Sequence, residues 1–172
     1  MVNKKELDSL LQKFSSKAYE LAYTLVPDDL QASQIVVDAT TTFLVTEMEW
    51  LMNIDTEDLD RASESELKKD FYLYFMKSVF SLGMKRFTQL PNLKTTEKED
   101  NQSYFQLDGK TRALVFLKYK ENLSMTELMD ITTLEKSEVM SRLFQGLELL
   151  GDKKNNPMRE VPPELPLNID HF

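Results

Sequence analysis

A single imidazole, His171, and no cysteine leave this 172-residue chain little with which to do covalent or metal chemistry. Nucleophilic catalysis usually needs a base such as histidine held beside the attacking group. Here the one histidine is the penultimate residue. A zinc site built on cysteine is excluded. The four glycines, Gly83, Gly109, Gly146 and Gly151, are too widely spaced for a phosphate-cradling loop. The acidic run DTEDLDRASESE (residues 55–66) lacks the Asp-x-Asp-x-Asp-Gly-x₅-Glu order of a calcium loop and reads as a solvated face. The expectation is a protein that is not an enzyme and uses no cofactor or metal.

The more informative chemistry is that of binding. The stretch ENLSMTELMDITTLEKSEVMSRL (residues 121–143) contains two short amphipathic runs separated by a Thr-rich step. Ser124 and Glu127 have the S-x-x-E spacing of a capping box, in which each side chain satisfies a backbone N–H of the other. A short capped helix, a tight turn and a second helix make the helix-turn-helix pattern, whose second helix enters the major groove of DNA. Between Glu135 and Gln145 that second helix carries Lys136 and Arg142 against Glu135 and Glu138. A carboxylate at a groove-facing position repels phosphate unless it accepts from a cytosine amino group.

The elements that would position these residues are helical. Leu7, Leu10, Leu11, Phe14, Ala18, Leu21, Ala22 and Leu25 recur at steps of three and four, and Pro27 ends the run. Ala32, Ile35, Val36, Ala39 and Phe43 continue the pattern to about residue 51, with Asp28 or Asp29 as the cap. A third helix places Leu67, Phe71, Tyr74, Phe75, Ser78, Val79 and Leu82 on one face. Three such helices can bury one core. Residues 91–104 are polar and read as a flexible linker. Residues 105–150 form a second helical unit, with Leu114, Val115, Leu117 and Tyr119 in its first helix and Val139, Leu143, Leu147 and Leu150 on one face of its last. The tail, residues 151–172, carries four prolines and is either disordered or laid extended over one domain. Trp50, with Met48, Leu51 and Met52, reads as the end of a core helix or a partner patch. The fold class expected is all-α: a three-helix domain (1–90) and a helix-turn-helix domain (105–150) joined by the linker.

Composition narrows the setting. Apolar residues make up 41% of the chain, enough for a core. No run approaches the roughly 18 apolar residues of a membrane span, the N-terminal residues lack a signal-like apolar stretch, and the absence of cysteine suits a cytoplasmic protein with no membrane partner. The net charge is −8, and residues 1–90 alone hold 10 basic against 15 acidic side chains. Nucleic-acid binders usually carry a basic face.

Residues 107–150 (LDGKTRALVFLKYKENLSMTELMDITTLEKSEVMSRLFQGLELL) resemble the promoter-reading C-terminal domain of bacterial sigma factors, especially the extracytoplasmic-function group. That family shows Leu-Pro, Arg-Tyr-x-Glu-Gly-Leu-Ser and Gly-Thr-Val-x-Ser-Arg-Leu. Here these stand as Leu107-Asp108, then Lys118-Tyr119-Lys120-Glu121-Asn122-Leu123-Ser124, then Ser137-Glu138-Val139-Met140-Ser141-Arg142-Leu143. YELAYTLVPDDLQASQIVVDATTTF (residues 19–43) is similar to the segment that binds the polymerase clamp helices. DFYLYFMKSVFSLGMKRF (residues 70–87) is similar to the segment that melts and reads the promoter, with Phe71, Tyr74, Phe75 and Lys77 on its Phe-x-x-Trp-Leu-x-Arg pattern. The resemblance spans roughly residues 14–150.

The resemblance implies a sigma-like initiation factor that binds core RNA polymerase and recognises promoter DNA. On that basis Lys136, Ser137, Met140, Ser141, Arg142 and Gln145 face the upstream promoter element. Lys77, Ser81, Lys85 and Arg86 lie toward the melted strand, and Gln34, Val37 and Asp38 lie at the polymerase interface. The chain departs from the family pattern where it matters for those roles. Gln34-Ile35-Val36-Val37 replaces Asp-Leu-Val-Gln, Phe80-Ser81 replaces Arg-Asn, and Lys85 replaces Asp. Thr133 stands for the turn glycine, Met129 for a small residue, Glu138 for Thr and Gln145 for Arg. Phe80 is expected in the core. The alternative expectation is a degenerate sigma-fold protein that binds a protein partner, an anti-sigma factor or polymerase, without reading DNA.

Overall fold

The computed structural model describes residues 4–46, 64–89 and 102–151, and every regular element among them is helical. In chain order these are α1 (Lys4–Leu25), α2 (Asp29–Thr46), α3 (Glu64–Gln89), α4 (Gln102–Gln106), α5 (Gly109–Val115, continued by one π-helical turn over Phe116–Lys120), α6 (Met125–Thr132) and α7 (Lys136–Gly151). The fold is all-α. Trp50 and its neighbours, most of the acidic run and the Pro-rich tail lie outside the described residues.

The first three helices pack on one another as their periodicity predicts. Phe14, Ala18, Leu21, Ala22 and Leu25 of α1 are buried, and Pro27 ends the helix because it can neither donate a backbone hydrogen bond nor tolerate the next helical turn. Asp28 caps α2, its carboxylate accepting from the Gln31 N–H at 2.9 Å, while Asp29 instead accepts from the Tyr19 hydroxyl at 2.6 Å. Ala32, Ile35, Ala39 and Phe43 form the buried face of α2. Phe43 meets Phe71 edge-on at 4.7 Å between ring centroids, and Phe14 closes the same aromatic cluster against Phe71 and Tyr72. Where α3 meets the end of α1, a Cβ on Gly83 would stand 2.6 Å from Leu25 Cδ1. Only a glycine fits there without movement of the leucine.

The face of α3 differs from the expected one. Tyr74 is 54% exposed, whereas Tyr72, Met76 and Phe80 are buried beside Phe71, Phe75 and Val79. The physical reason is that α3 has several neighbours: Tyr72 packs on Phe14 of α1 and donates its hydroxyl to Glu121, and α6 lies along the helix, so α3 is covered over a wide arc instead of one stripe. Phe80 is in the core as expected. The linker also ends earlier than its composition suggested, because residues 102–104 belong to α4 and Tyr104 is buried with its hydroxyl donating to the Arg112 carbonyl at 3.0 Å. In α7 the buried positions are Val139, Leu143 and Gly146, while Leu147 is 36% exposed. Gly146 replaces Leu147 on that face because α7 lies against α5, where a Cβ would stand 2.7 Å from Val115 Cγ2.

One apolar cluster runs through both groups of helices, from Phe14 to Leu143. Arg112 of α5 is 4% exposed and fastens the groups together. Its Nε donates to the Thr24 carbonyl at 2.6 Å and one terminal nitrogen to that of Leu25 at 3.1 Å; the other reaches the carbonyls of Leu107 at 2.8 Å and Phe105 at 3.0 Å. Thr24 and Leu25 are the last residues of α1, whose carbonyls have no partner within the helix and favour a cation. Around this anchor, charges pair across the junction: Lys17 and the Tyr72 hydroxyl with Glu121, Lys69 with Glu127, Lys77 with Asp130, and Lys120 with Glu20.

Candidate functional site

The helix-turn-helix segment forms from its own local chemistry. Ser124 caps α6 with the reciprocal pair complete: the Ser124 N–H donates to the Glu127 carboxylate at 2.7 Å, and the Glu127 N–H donates to the Ser124 hydroxyl at 3.3 Å. Glu127 also pairs with Lys69 of α3 at 2.6 Å. The Lys69 hydrogen bond, helped by those of Ser124 and opposed by burial, pulls the Glu127 carboxyl down to about 2 from an ordinary 4.5. Because the folded-state pKa lies below the unfolded one, the stabilisation is complete above about pH 4.5 and is lost as pH falls toward 2. Urea midpoints at pH 6, 4 and 3 should therefore fall more steeply for the wild type than for Glu127→Gln, which keeps a capping acceptor but not the charge.

Three residues separate α6 from α7, and the first, Thr133, holds a left-handed conformation (φ 57°, ψ 25°). A β-branched residue there costs roughly 1–2 kcal/mol relative to a conformation without Cβ strain. Thr133 is exposed, so little packing offsets that strain. Thr133→Gly should raise the unfolding free energy by about 1 kcal/mol, read as a higher urea midpoint with an unchanged slope.

On α7, Lys136, Ser137, Ser141 and Gln145 are exposed. Arg142 is not free. Its Nε donates to Glu138 at 3.0 Å and a terminal nitrogen to Asp108 at 3.0 Å, leaving the side chain 26% exposed. Asp108 is simultaneously the cap of α5, accepting from the Lys110 and Thr111 N–H groups and from the Thr111 hydroxyl. Burial pushes the Asp108 carboxyl up, but the Thr111 hydrogen bonds and the Arg142 charge outweigh it and hold the pKa below its ordinary value. Met140, 54% exposed, stands in line with Phe144 at 69% and Leu147 at 36%. The outer surface of α7 therefore carries an apolar row.

The residues assigned to the melted strand are divided. Lys77 is held by Asp130 of α6 at 2.7 Å, whereas Ser81 and Lys85 are exposed. Arg86 turns toward α2 and meets Asp38 at 3.5 Å, while Gln34 donates to the same carboxylate at 2.8 Å. The structure thus brings Asp38 and Arg86 together at a cleft between α2 and α3 that Ile35, Leu82, Lys85 and Gln89 complete, with Gln34 bonded to Asp38 beside it. Val37 is 57% exposed and is joined on the outer face of α2 by Leu30 and Val45, each 74% exposed. Sequence reasoning singled out Val37 but missed Leu30 and Val45. The signal was their seven- and eight-residue spacing, on the side opposite the buried Ala32, Ile35, Ala39 and Phe43. Phe144 and Arg112 were missed as well.

Among the described residues no cluster of histidine, aspartate and glutamate has the arrangement of a metal site, and no helix is long and apolar enough to cross a membrane. No protein-family model matches this chain, and no curated protein shows significant similarity to it.

Proposed function

We propose that this chain is a sigma-fold protein that binds core RNA polymerase through α2 and does not itself read promoter DNA. The observation that carries the proposal is the outer face of α2, where Leu30, Val37 and Val45 stand exposed along a helix whose opposite face is core. Taken one by one, exposed apolar side chains separated by polar residues such as Ser33, Gln34 and Thr41 are ordinary; a common partner for these three is suggested by which helix carries them. This is the helix that the sigma resemblance assigns to the polymerase clamp.

Electrostatics argues against DNA as the ligand. Phosphate contacts by lysine and arginine supply much of the affinity of DNA-binding proteins. In this chain Lys77, Arg86 and Arg142 each have a carboxylate partner, and the total charge is −8. Freeing a cation from its carboxylate adds a cost to each phosphate contact it would make. A second reading, promoter recognition through α7, draws on the exposed Lys136, Ser137, Ser141 and Gln145.

Two binding assays test the proposal: the first tests the polymerase contact that both readings share, and the second separates them. Core polymerase should retain the chain in a pull-down. A labelled promoter fragment titrated with the chain, alone or with polymerase, should show no affinity gain attributable to the chain at 50 or 200 mM salt, a span over which a phosphate-contacting protein loses roughly 10³–10⁵ in affinity. Salt-dependent promoter binding that requires the chain would favour the second reading.

A further inference from the structure

The exposed row Met140, Phe144 and Leu147 is not explained by the proposed contact through α2. These residues lie at i, i+4 and i+7, so they form one strip about 10 Å long at 1.5 Å per residue. The strip borders the buried Leu143, which makes it a continuation of the core outward instead of three scattered apolar side chains. The helix that carries it ends at Gly151, and 21 further residues follow in this sequence, DKKNNPMREVPPELPLNIDHF.

We propose that residues 161–172 dock in extended form on the Met140–Phe144–Leu147 face of α7 and cover it in the free protein. Reach is sufficient. Met140 lies about 16 Å back along the helix from Gly151, and the nine residues 152–160 can span up to about 30 Å. The pattern of the segment matches the strip. Leu165, Leu167 and Ile169 alternate at two-residue steps, which in an extended chain places all three on one side over about 13 Å. Pro162, Pro163 and Pro166 restrict the unbound chain toward extended conformations, which lowers the entropy lost on docking.

Charge enters weakly. Lys153, Lys154 and Arg159 outnumber Asp152 and Glu160 in the connecting stretch by one and follow the exposed Glu148, whereas the docking segment carries Glu164 and Asp170, so its contact with the strip rests on its apolar residues. The two lysines also follow a helix C-terminus, where positive charge is favoured. This inference does not depend on which partner α2 binds.

Because the chain has no cysteine, Asn168→Cys gives a single attachment point for a nitroxide on the full chain. With ¹⁵N-labelled protein, the amide signals of Met140 and Phe144 should be attenuated at least as strongly as those nearer Gly151. A second Phe144→Glu substitution, at a side chain 69% exposed and therefore compatible with folding, should relieve that attenuation. The effect should be absent when spin-labelled ¹⁴N chains are mixed with unlabelled ¹⁵N chains. Attenuation that declines steadily away from Gly151 and ignores Phe144→Glu would describe a free tail and overturn the proposal. Attenuation of Met140 and Phe144 in the mixed sample would assign the strip to a second copy of the chain and overturn it equally.

Discussion

Arg112→Met should destabilise the protein by about 4 kcal/mol, the largest effect of any single substitution considered. A buried guanidinium with four carbonyl acceptors makes charge-assisted hydrogen bonds, each stronger than a neutral pair. Methionine fills similar space but leaves the carbonyls of Thr24, Leu25, Phe105 and Leu107 without this donor. An unsatisfied buried polar group costs roughly 1–3 kcal/mol, so a loss of about 4 kcal/mol already allows for partial relaxation and water entry. The rings of Phe87 and Phe105 lie 5.8 and 5.5 Å from the guanidinium carbon and also lose a cation contact. Arg112→Lys should recover only part of the loss, because an ammonium cannot reproduce the planar fork that serves two separate helix ends. Urea unfolding followed by circular dichroism reads both variants. A loss below 1 kcal/mol for Arg112→Met would mean that the junction between α1 and α5 is held by packing and by the Lys17–Glu121 and Lys120–Glu20 pairs without need of Arg112.

The second large effect concerns function. Leu30→Glu combined with Val37→Glu should weaken retention by core polymerase by about 100-fold while leaving the unfolding midpoint nearly unchanged. Both side chains are exposed in the free protein, at 74% and 57%, so their replacement by carboxylates disturbs little of the core. In a complex they would be covered, and two desolvated charges would replace apolar contacts. Each tenfold of affinity is about 1.4 kcal/mol, so the predicted loss corresponds to roughly 1.4 kcal/mol per residue, modest for interface positions. Ala32→Glu serves as the contrast. Ala32 is fully buried, and its substitution should destabilise the fold itself. Unchanged polymerase binding by the double variant would move the docking face away from α2.

Much of the fold was legible because it is set locally. The caps at Asp28 and Ser124 and the stop at Pro27 depend on residues within a turn of one another, and each stands where the sequence places it. The apolar period of α1 was equally clear. What periodicity does not provide is the width of a buried face. For α3 the contacts with α1, with Glu121 and with α6 together brought Tyr72, Met76 and Phe80 inside and left Tyr74 outside, and no pattern within α3 announces those neighbours. Gly146 has no hydrophobic signature, so its place in the α5–α7 contact was hidden behind Leu147.

The candidate site was less legible than the fold, for an electrostatic reason. A lysine or arginine in a sequence reads as available charge, yet its availability depends on partners far along the chain. Lys77 finds Asp130 across 53 positions, Arg86 finds Asp38 across 48, and Arg142 finds Asp108 across 34. These pairs are partly solvated and contribute little to stability, in the range of 0–1 kcal/mol each. Their consequence for ligand choice is larger, because a cation already facing a carboxylate presents little net field to phosphate. Arg112 shows the converse: nothing in the sequence singles it out, yet it is the most buried cation among the described residues.

Amide hydrogen exchange of the full chain, free, with core RNA polymerase, and with polymerase plus promoter fragment, tests the central claim most directly. The account predicts slowed exchange over α2 when polymerase is added, and no further slowing over residues 136–145 when the promoter follows. An α2 that exchanges as in the free chain, or an α7 that becomes protected only when DNA is present, would contradict it.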